Sequence, residues 1–230
     1  PDQTRRRRSK RVFTGLSQAV GKVVSLQRSS TEARLKIETG KLALADTKLG
    51  DSIAVNGVCL TAVRLDGQSF EAAVSGDTQR RSSRGDRTHG GKVNLELALL
   101  PSTRFGGHLV SGHVDGLAML AELGEQGQSI RMRFTLPEGL ERYVAEKGSI
   151  CIDGVSLTVN AVADRDFEVN LVPHTLQETI LDDYRVGTRV NIEVDIIARY
   201  LERMLQYGTR TSRPDSDDSF VEKIRDMFDD

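Results

Sequence analysis

The sequence predicts a mainly β protein: two tandem antiparallel β-barrels produced by an internal duplication, followed by one C-terminal α-helix. Three observations lead there. First, a shift of 97 residues lays the second half of the chain on the first without a gap, so that Ser52 falls on Ser149, Gly57 on Gly154, Leu60 on Leu157, Thr61 on Thr158, Phe70 on Phe167, Asn94 on Asn191 and Glu96 on Glu193. This period is far above the roughly 20 to 50 residues of a solenoid unit, so each copy is expected to own a core. Second, apolar-rich runs are separated at short intervals by Gly, Asp and Asn turns. That is the pattern of an antiparallel unit, and closing it into a barrel removes its edges. Third, beyond Asp195 the period of the apolar residues changes to a helical one. The organisation follows as a basic arm at 1–11, a first barrel at 12–107, a second at 108–195, an oligomerisation helix at 196–207 and an acidic tail at 208–230.

In copy one, Val12 to Val24 reads as the first strand and Glu32 to Thr39 as the second, where alternation puts Leu35 and Ile37 on one face. A turn at Lys48 to Ser52 leads into a run from Ile53 to Val63. Asp66-Gly67 is a hairpin turn before Ser69 to Val74, and Val93 to Leu99 closes the copy. Copy two repeats this with Gly116 to Leu123, Ser129 to Leu136, Gly148 to Val162, Asp166 to Val172 and Val190 to Val194. Pro137 to Ala145, with proline in its first turn and acid at its start, reads as a short helix. The C-terminal helix aligns Ile196, Ile197, Tyr200, Leu201, Met204 and Leu205, opposite Arg199, Glu202, Arg203 and Gln206. It has no counterpart after copy one, where Pro101 intervenes, so it reads either as an oligomerisation element or as a helix packed on its own barrel.

Hydrophobic residues make up 38% of the chain and charged residues 28%, with a formal net charge of -1, which fits a soluble globular protein. No apolar run approaches the roughly 20 residues that cross a bilayer, so no membrane partner is expected. Six Lys or Arg lie among residues 5 to 11. This arm reads as a solvated terminus, a nucleic-acid arm or a remnant of organelle targeting, but without aromatic residues and before a near-neutral body it does not predict nucleic-acid binding. Cys59 and Cys151 lie in strand-like runs without metal-ligand spacing and fit a reducing compartment. The expected location is the cytoplasm, or a plastid if the arm is a transit remnant.

The two copies differ where chemistry would sit. Asn-Gly-Val-Cys-Leu-Thr at 56 to 61 becomes Asp-Gly-Val-Ser-Leu-Thr at 153 to 158, which makes Cys59 and Ser156 equivalent positions. Two related pockets with different duties would explain the exchange, as would drift within a strand, since a buried cysteine behaves as a small hydrophobe. His113 stands in a glycine-rich segment where copy one has Leu16, so the fold does not require an imidazole there, and histidine is the usual proton-transfer group near neutral pH. His108, His174 and His89 are weaker candidates. No metal trio, phosphate loop or Ser-His-Asp order is present.

The segment Val12 to Leu16, the segment Gly50 to Thr61, Gly-Gly-His-Leu-Val-Ser-Gly-His-Val-Asp-Gly from Gly106 to Gly116, and Asp153 to Val159 stand in order. Together with the duplication they resemble the riboflavin synthase alpha chain over about residues 12 to 207. The resemblance implies six-stranded Greek-key barrels that each hold one 6,7-dimethyl-8-ribityllumazine, two per active site, and a cofactor-free dismutation of the pair to riboflavin and 5-amino-6-(D-ribitylamino)uracil. It further implies a homotrimer held largely by the C-terminal helices, and it adds lumazine synthase as a candidate partner. A lumazine- or flavin-binding protein of the same fold without catalytic activity is the alternative. Such relatives lack the Gly-Gly-His-Leu-Val-Ser-Gly-His pattern and the second Ser-Leu-Thr, both present here.

By position, the resemblance makes His113 the proton-transfer group, Ser156 and Cys59 polar or nucleophilic groups beside the rings, and Asp195 a carboxylate near the reaction centre. Thr61, Thr158 and Lys147 would hold ring and ribityl oxygens. The two pockets would be lined by Gly15, Leu16, Ser17, Ser52, Leu60, Ala73, Val74, Ser75, Gly76, Asp77, Thr78, Gly112, His113, Val114, Leu157, Val172, Pro173, His174, Thr175, Leu176 and Gln177. The chain departs from the family pattern at Asp77 to Arg84, which lacks apolar anchors, and at His174, where many relatives carry Glu.

Overall fold

The computed structural model describes residues 12–28, 32–75 and 90–211. The basic arm, the Gly76 to Arg84 stretch and the acidic tail from 212 onward lie outside the described residues. Twelve strands form two closed antiparallel barrels. The first comprises β1 (Ala19–Arg28), β2 (Glu32–Glu38), β3 (Ser52–Val55), β4 (Val58–Leu65), β5 (Ser69–Ser75) and β6 (Lys92–Leu97), ordered β1-β2-β5-β4-β3-β6. The second comprises β7 (Gly116–Gln126), β8 (Ser129–Thr135), β9 (Ser149–Ile152), β10 (Val155–Ala163), β11 (Asp166–Leu171) and β12 (Arg189–Val194), with equivalent connectivity. The shift of 97 carries β2, β3 and β6 onto β8, β9 and β12 residue for residue. It also carries the register shift at Val23/Ser25 onto Leu120/Glu122, and that at Ala62/Arg64 onto Val159/Ala161. The duplication therefore extends to the bulges that bend each sheet closed.

Four expectations need correction. The run from Ile53 to Val63 is two strands, because Asn56-Gly57 turns the chain, and Gly148 to Val162 is likewise split at Asp153-Gly154. Both members of each turn have positive φ, 47° and 73° in copy one and 42° and 82° in copy two, as a tight primed hairpin turn requires. Val12 to Val24 is not one strand. Phe13 forms an isolated antiparallel bridge to Val110, and β1 begins at Ala19. Pro137 to Ala145 holds only a single 3-10 turn at Glu141–Tyr143.

Each barrel is filled by its own apolar residues. Ile37, Ile53, Leu60, Phe70, Val93 and Leu95 pack inside the first, and Leu120, Phe134, Ile150, Ile152, Phe167 and Ile192 inside the second, where Phe134 and Phe167 stack with centroids 5.5 Å apart. Interiors packed this way leave the outer faces as the place for a ligand. A smaller cluster of Phe13, Ala54, Val110 and Cys151 lies on the seam between the barrels. Helix α1 (Pro173–Glu178) and a 3-10 turn (Ile180–Asp183) connect β11 to β12. The barrels belong to one compact unit ending at Asp195, and helix α2 (Ile196–Thr211) belongs to a second. Ile197, Tyr200, Leu201, Met204 and Leu205 are exposed along α2.

Candidate functional site

The seam between the barrels is built by pairs of residues 97 apart, each repeating the other's bonds. Asn94 and Asn191 are buried, and their side chains cross over: Asn94 Nδ2 donates to Asp153 O and Asn191 Nδ2 to Asn56 O, both at 2.9 Å. Asn56 Oδ1 accepts from Asn94 N at 2.7 Å and Asp153 Oδ1 from Asn191 N at 3.0 Å. The pair differs in that Asp153 Oδ2 also accepts from Tyr184 Oη at 2.5 Å. These contacts hold the Asn56-Gly57 and Asp153-Gly154 turns back to back, so close that a Cβ on Gly57 would stand 2.8 Å from Gly154 N.

Two short straps run through this seam, and each belongs by sequence to one barrel while lying against the other. Glu96 of β6 accepts from Thr14 N (2.6 Å), Thr14 Oγ1 (2.7 Å) and Gly15 N (3.0 Å). Glu193 of β12 accepts from Ser111 N (2.6 Å), Ser111 Oγ (2.7 Å), Gly112 N (3.0 Å) and His113 N (3.1 Å). The glycine after each anchor has φ of +74° or +79°, a conformation that L side chains avoid, and it sends the carbonyl across the seam. Gly15 O accepts from Ser156 N at 2.7 Å, and Gly112 O from Cys59 N at 2.9 Å. Val114 accordingly packs on the core of barrel one although it belongs to copy two. Burial pushes both Glu96 and Glu193 above the usual carboxylate range, opposed by these hydrogen bonds and, for Glu193, reinforced by Asp115.

The candidate side chains fall on outer faces. Thr61 pairs across strands with Ser52 and Ala73, and period-two alternation puts Cys59 on the same side of β4. Ser156 and Thr158 hold the equivalent places on β10. Leu60 and Val74 point into the first core and are not brought to this face, and Leu157 packs against the second core. Leu16, Thr61, Ala73, Lys147, Thr158, Val172, Pro173, His174 and Gln177 are exposed, while Ser17, Thr175 and Asp195 are half-buried. Leu176 packs on the second core. The side chain of Ser75, and all of Gly76, Asp77 and Thr78, lie outside the described residues. His113 is exposed and lies next to the glycine that touches Cys59, so chain geometry groups it with barrel one.

Sequence reasoning underrated His108. It is 7% exposed, its backbone N donates to Thr14 O, and its Nδ1 lies 2.7 Å from Ser156 Oγ, while its Nε2 is buried without a hydrogen-bond partner. Burial lowers its pKa from 6.5, with Asp195 acting in the opposite direction. A neutral imidazole here can accept the Ser156 proton. No spacing in the sequence announces this contact, because 48 residues separate the partners. A polar cleft on barrel one lined by Lys36, Glu38, Asp66, Gln68 and Ser69 contains none of the candidate residues.

The Lumazine binding domain family matches the chain twice, at residues 14–98 and 111–195. The riboflavin synthase of Photobacterium phosphoreum is 47% identical over 84% of this chain and 89% of its own length. That of Bacillus subtilis (strain 168) is 40% identical over 84% and 90%. The chain belongs to the riboflavin synthase family. Riboflavin synthases are enzymes, and the two barrels here are this family's paired lumazine binding domains. Among solved structures, LumP complexed with 6,7-dimethyl-8-(1'-D-ribityl) lumazine aligns with a TM-score of 0.71 at 23% identity, covering 79% of this chain and 98% of LumP. At that identity the likeness is one of fold.

Proposed function

We propose that this riboflavin synthase binds one 6,7-dimethyl-8-ribityllumazine on the outer face of each barrel and dismutates two of them to riboflavin and 5-amino-6-(D-ribitylamino)uracil. The atoms of the two substrates equal those of the two products, so the transfer of a four-carbon unit requires no external oxidant or reductant. The observation that carries the reading is the pair of equivalent outer faces, Cys59 with Thr61 and Ser156 with Thr158, in a chain with two matches to a lumazine binding domain. Two like substrates call for two like sites, and the Cys-to-Ser exchange lets the sites differ as donor and acceptor.

In this reading His113 removes a proton from the C7 methyl of one lumazine, Ser156 and Cys59 sit beside the two rings, and Asp195 lies near the reaction centre. Orienting two bound reactants is worth roughly 7 to 11 kcal/mol, more than the factor of about 10² to 10⁴ from one proton-transfer group. The reacting pair would form where barrel one of one subunit faces barrel two of another, in a homotrimer assembled through α2. Association with lumazine synthase and a cytoplasmic location, or a plastid one, complete the proposal.

The test is incubation of the protein with 6,7-dimethyl-8-ribityllumazine alone. One riboflavin for every two lumazines consumed, lost in His113→Ala, is the expected result. Tight fluorescent binding without turnover would make the protein a lumazine-binding relative instead.

A further inference from the structure

We propose that Glu96 and Glu193 are positioning residues that act crosswise, each carboxylate shaping the candidate pocket on the opposite barrel. The inference rests on the two-pocket reading above and deepens it. Both carboxylates are 5% exposed, and among the described residues neither has a basic side chain within salt-bridge distance. Burying a carboxylate without a cation is costly unless hydrogen bonds saturate it. Here they do so in a specific way, because the donors are consecutive backbone N–H groups and one hydroxyl from a single strap. An ionised carboxylate has about four acceptor sites and no donor, so it can gather such a row as an amide or an apolar side chain cannot.

The consequence runs across the seam. Glu193, on barrel two, fixes Ser111-Gly112, whose carbonyl takes Cys59 N on barrel one. Glu96, on barrel one, fixes Thr14-Gly15, whose carbonyls take His108 N and Ser156 N beside barrel two. The two strap segments are joined by the Phe13–Val110 bridge and by the bond from His108 N to Thr14 O. Each pocket wall is therefore held by a carboxyl group on the other barrel, and the two sites are set relative to one another within one chain.

The test uses two local reporters in the full-length protein, neither of which requires lumazine. Cys59, half-buried, reports on barrel one through its rate of alkylation by iodoacetamide. Cys151 is fully buried, its thiol pushed up by burial, and serves as an unreactive internal reference. The ring nitrogens of His108, read by NMR of protein labelled with ¹⁵N-histidine, report on barrel two. In Glu193→Gln, Cys59 labelling should accelerate roughly tenfold or more, the scale expected when hydrogen bonds to a charged group are weakened, with little movement at His108. In Glu96→Gln the pattern should invert. Glu168→Gln, which alters only a surface ion-pair ladder on barrel two, should move neither reporter. If each variant disturbs its own barrel, or both disturb both reporters equally, the proposal is wrong. Should the Gln variants not fold, Ser111→Ala and Thr14→Val each remove the hydroxyl bond to the carboxylate, Thr14→Val also removing the acceptor for Leu16 N, and carry the same comparison. Turnover is scored separately: a crossed pattern without riboflavin formation sinks the synthase reading alone, and riboflavin formation without a crossed pattern sinks this one alone.

Discussion

Ser156 shares its hydroxyl with His108 at 2.7 Å, and Cys59, its counterpart, has no such histidine on a described residue, since the position 97 before His108 is Arg11. The two equivalent side chains are thus chemically unequal. Cys59→Ser should be tolerated better than His113→Ala or Ser156→Ala, the latter two losing about 10²-fold or more in turnover. Equal or greater loss in Cys59→Ser, measured as kcat on 6,7-dimethyl-8-ribityllumazine, overturns that ranking. His108 supplies a pH prediction. Its folded pKa lies below 6.5 because burial disfavours the charged ring. The unfolded chain then binds more protons in the window just under 6.5, so this residue's contribution to stability falls as pH drops from 6.5 through the folded value. Urea unfolding at pH 7 and pH 5 should show a smaller acid loss in His108→Asn than in the parent chain, and an unchanged difference would refute the assignment.

The straps are the elements on which the site depends, and their glycines can be tested against a control. A Cβ on Gly112 would stand 2.5 Å from Cys59 Cβ, and one on Gly15 2.7 Å from Ser156 Cβ. Gly50 also has positive φ, but its Cβ would meet nothing within 4 Å. Gly50→Ala therefore carries only backbone strain, about 1 to 3 kcal/mol, while Gly15→Ala and Gly112→Ala add overpacking of similar size. Denaturant midpoints should rank them in that order, and similar midpoints for all three would mean the seam relaxes freely. The element pattern also explains why each copy shows five apolar runs for six strands. Asn56-Gly57 and Asp153-Gly154 are strong hairpin signals in themselves, but apolar residues on both sides made the run look continuous.

At the scale of the whole molecule, both cores are drawn from residues 19 to 194. Truncation after Asp195 should leave circular dichroism and the denaturant midpoint of the barrels close to those of the parent chain, and sedimentation of the two chains tests the proposed trimer, which predicts a smaller assembly for the truncated one. A truncated chain that fails to fold would assign α2 a role in the barrels themselves. Burial of Asn94, Asn191, Glu96 and Glu193 along one seam joins the two barrels by polar contact, to which the small cluster around Phe13 and Val110, Val20 on the second core and Val114 on the first add apolar contact.

The sequence by itself determined the duplication, the barrels, the helix and the family. Each of these depends on local period, turn chemistry or motif order, which do not need a neighbour to be legible. The tertiary structure alone decided the wiring of the site. Asn94 and Glu96 alternate with apolar residues along β6, a pattern that reads as a solvent face, and only the second barrel turns that face into a buried seam. Chain order would place Gly112 and His113 with the barrel they precede, but the straps cross, because a carbonyl turned out by a left-handed glycine pairs with whichever N–H the opposite barrel presents. His108 became significant for the same reason: its partner is defined by a fold in space and by no spacing along the chain.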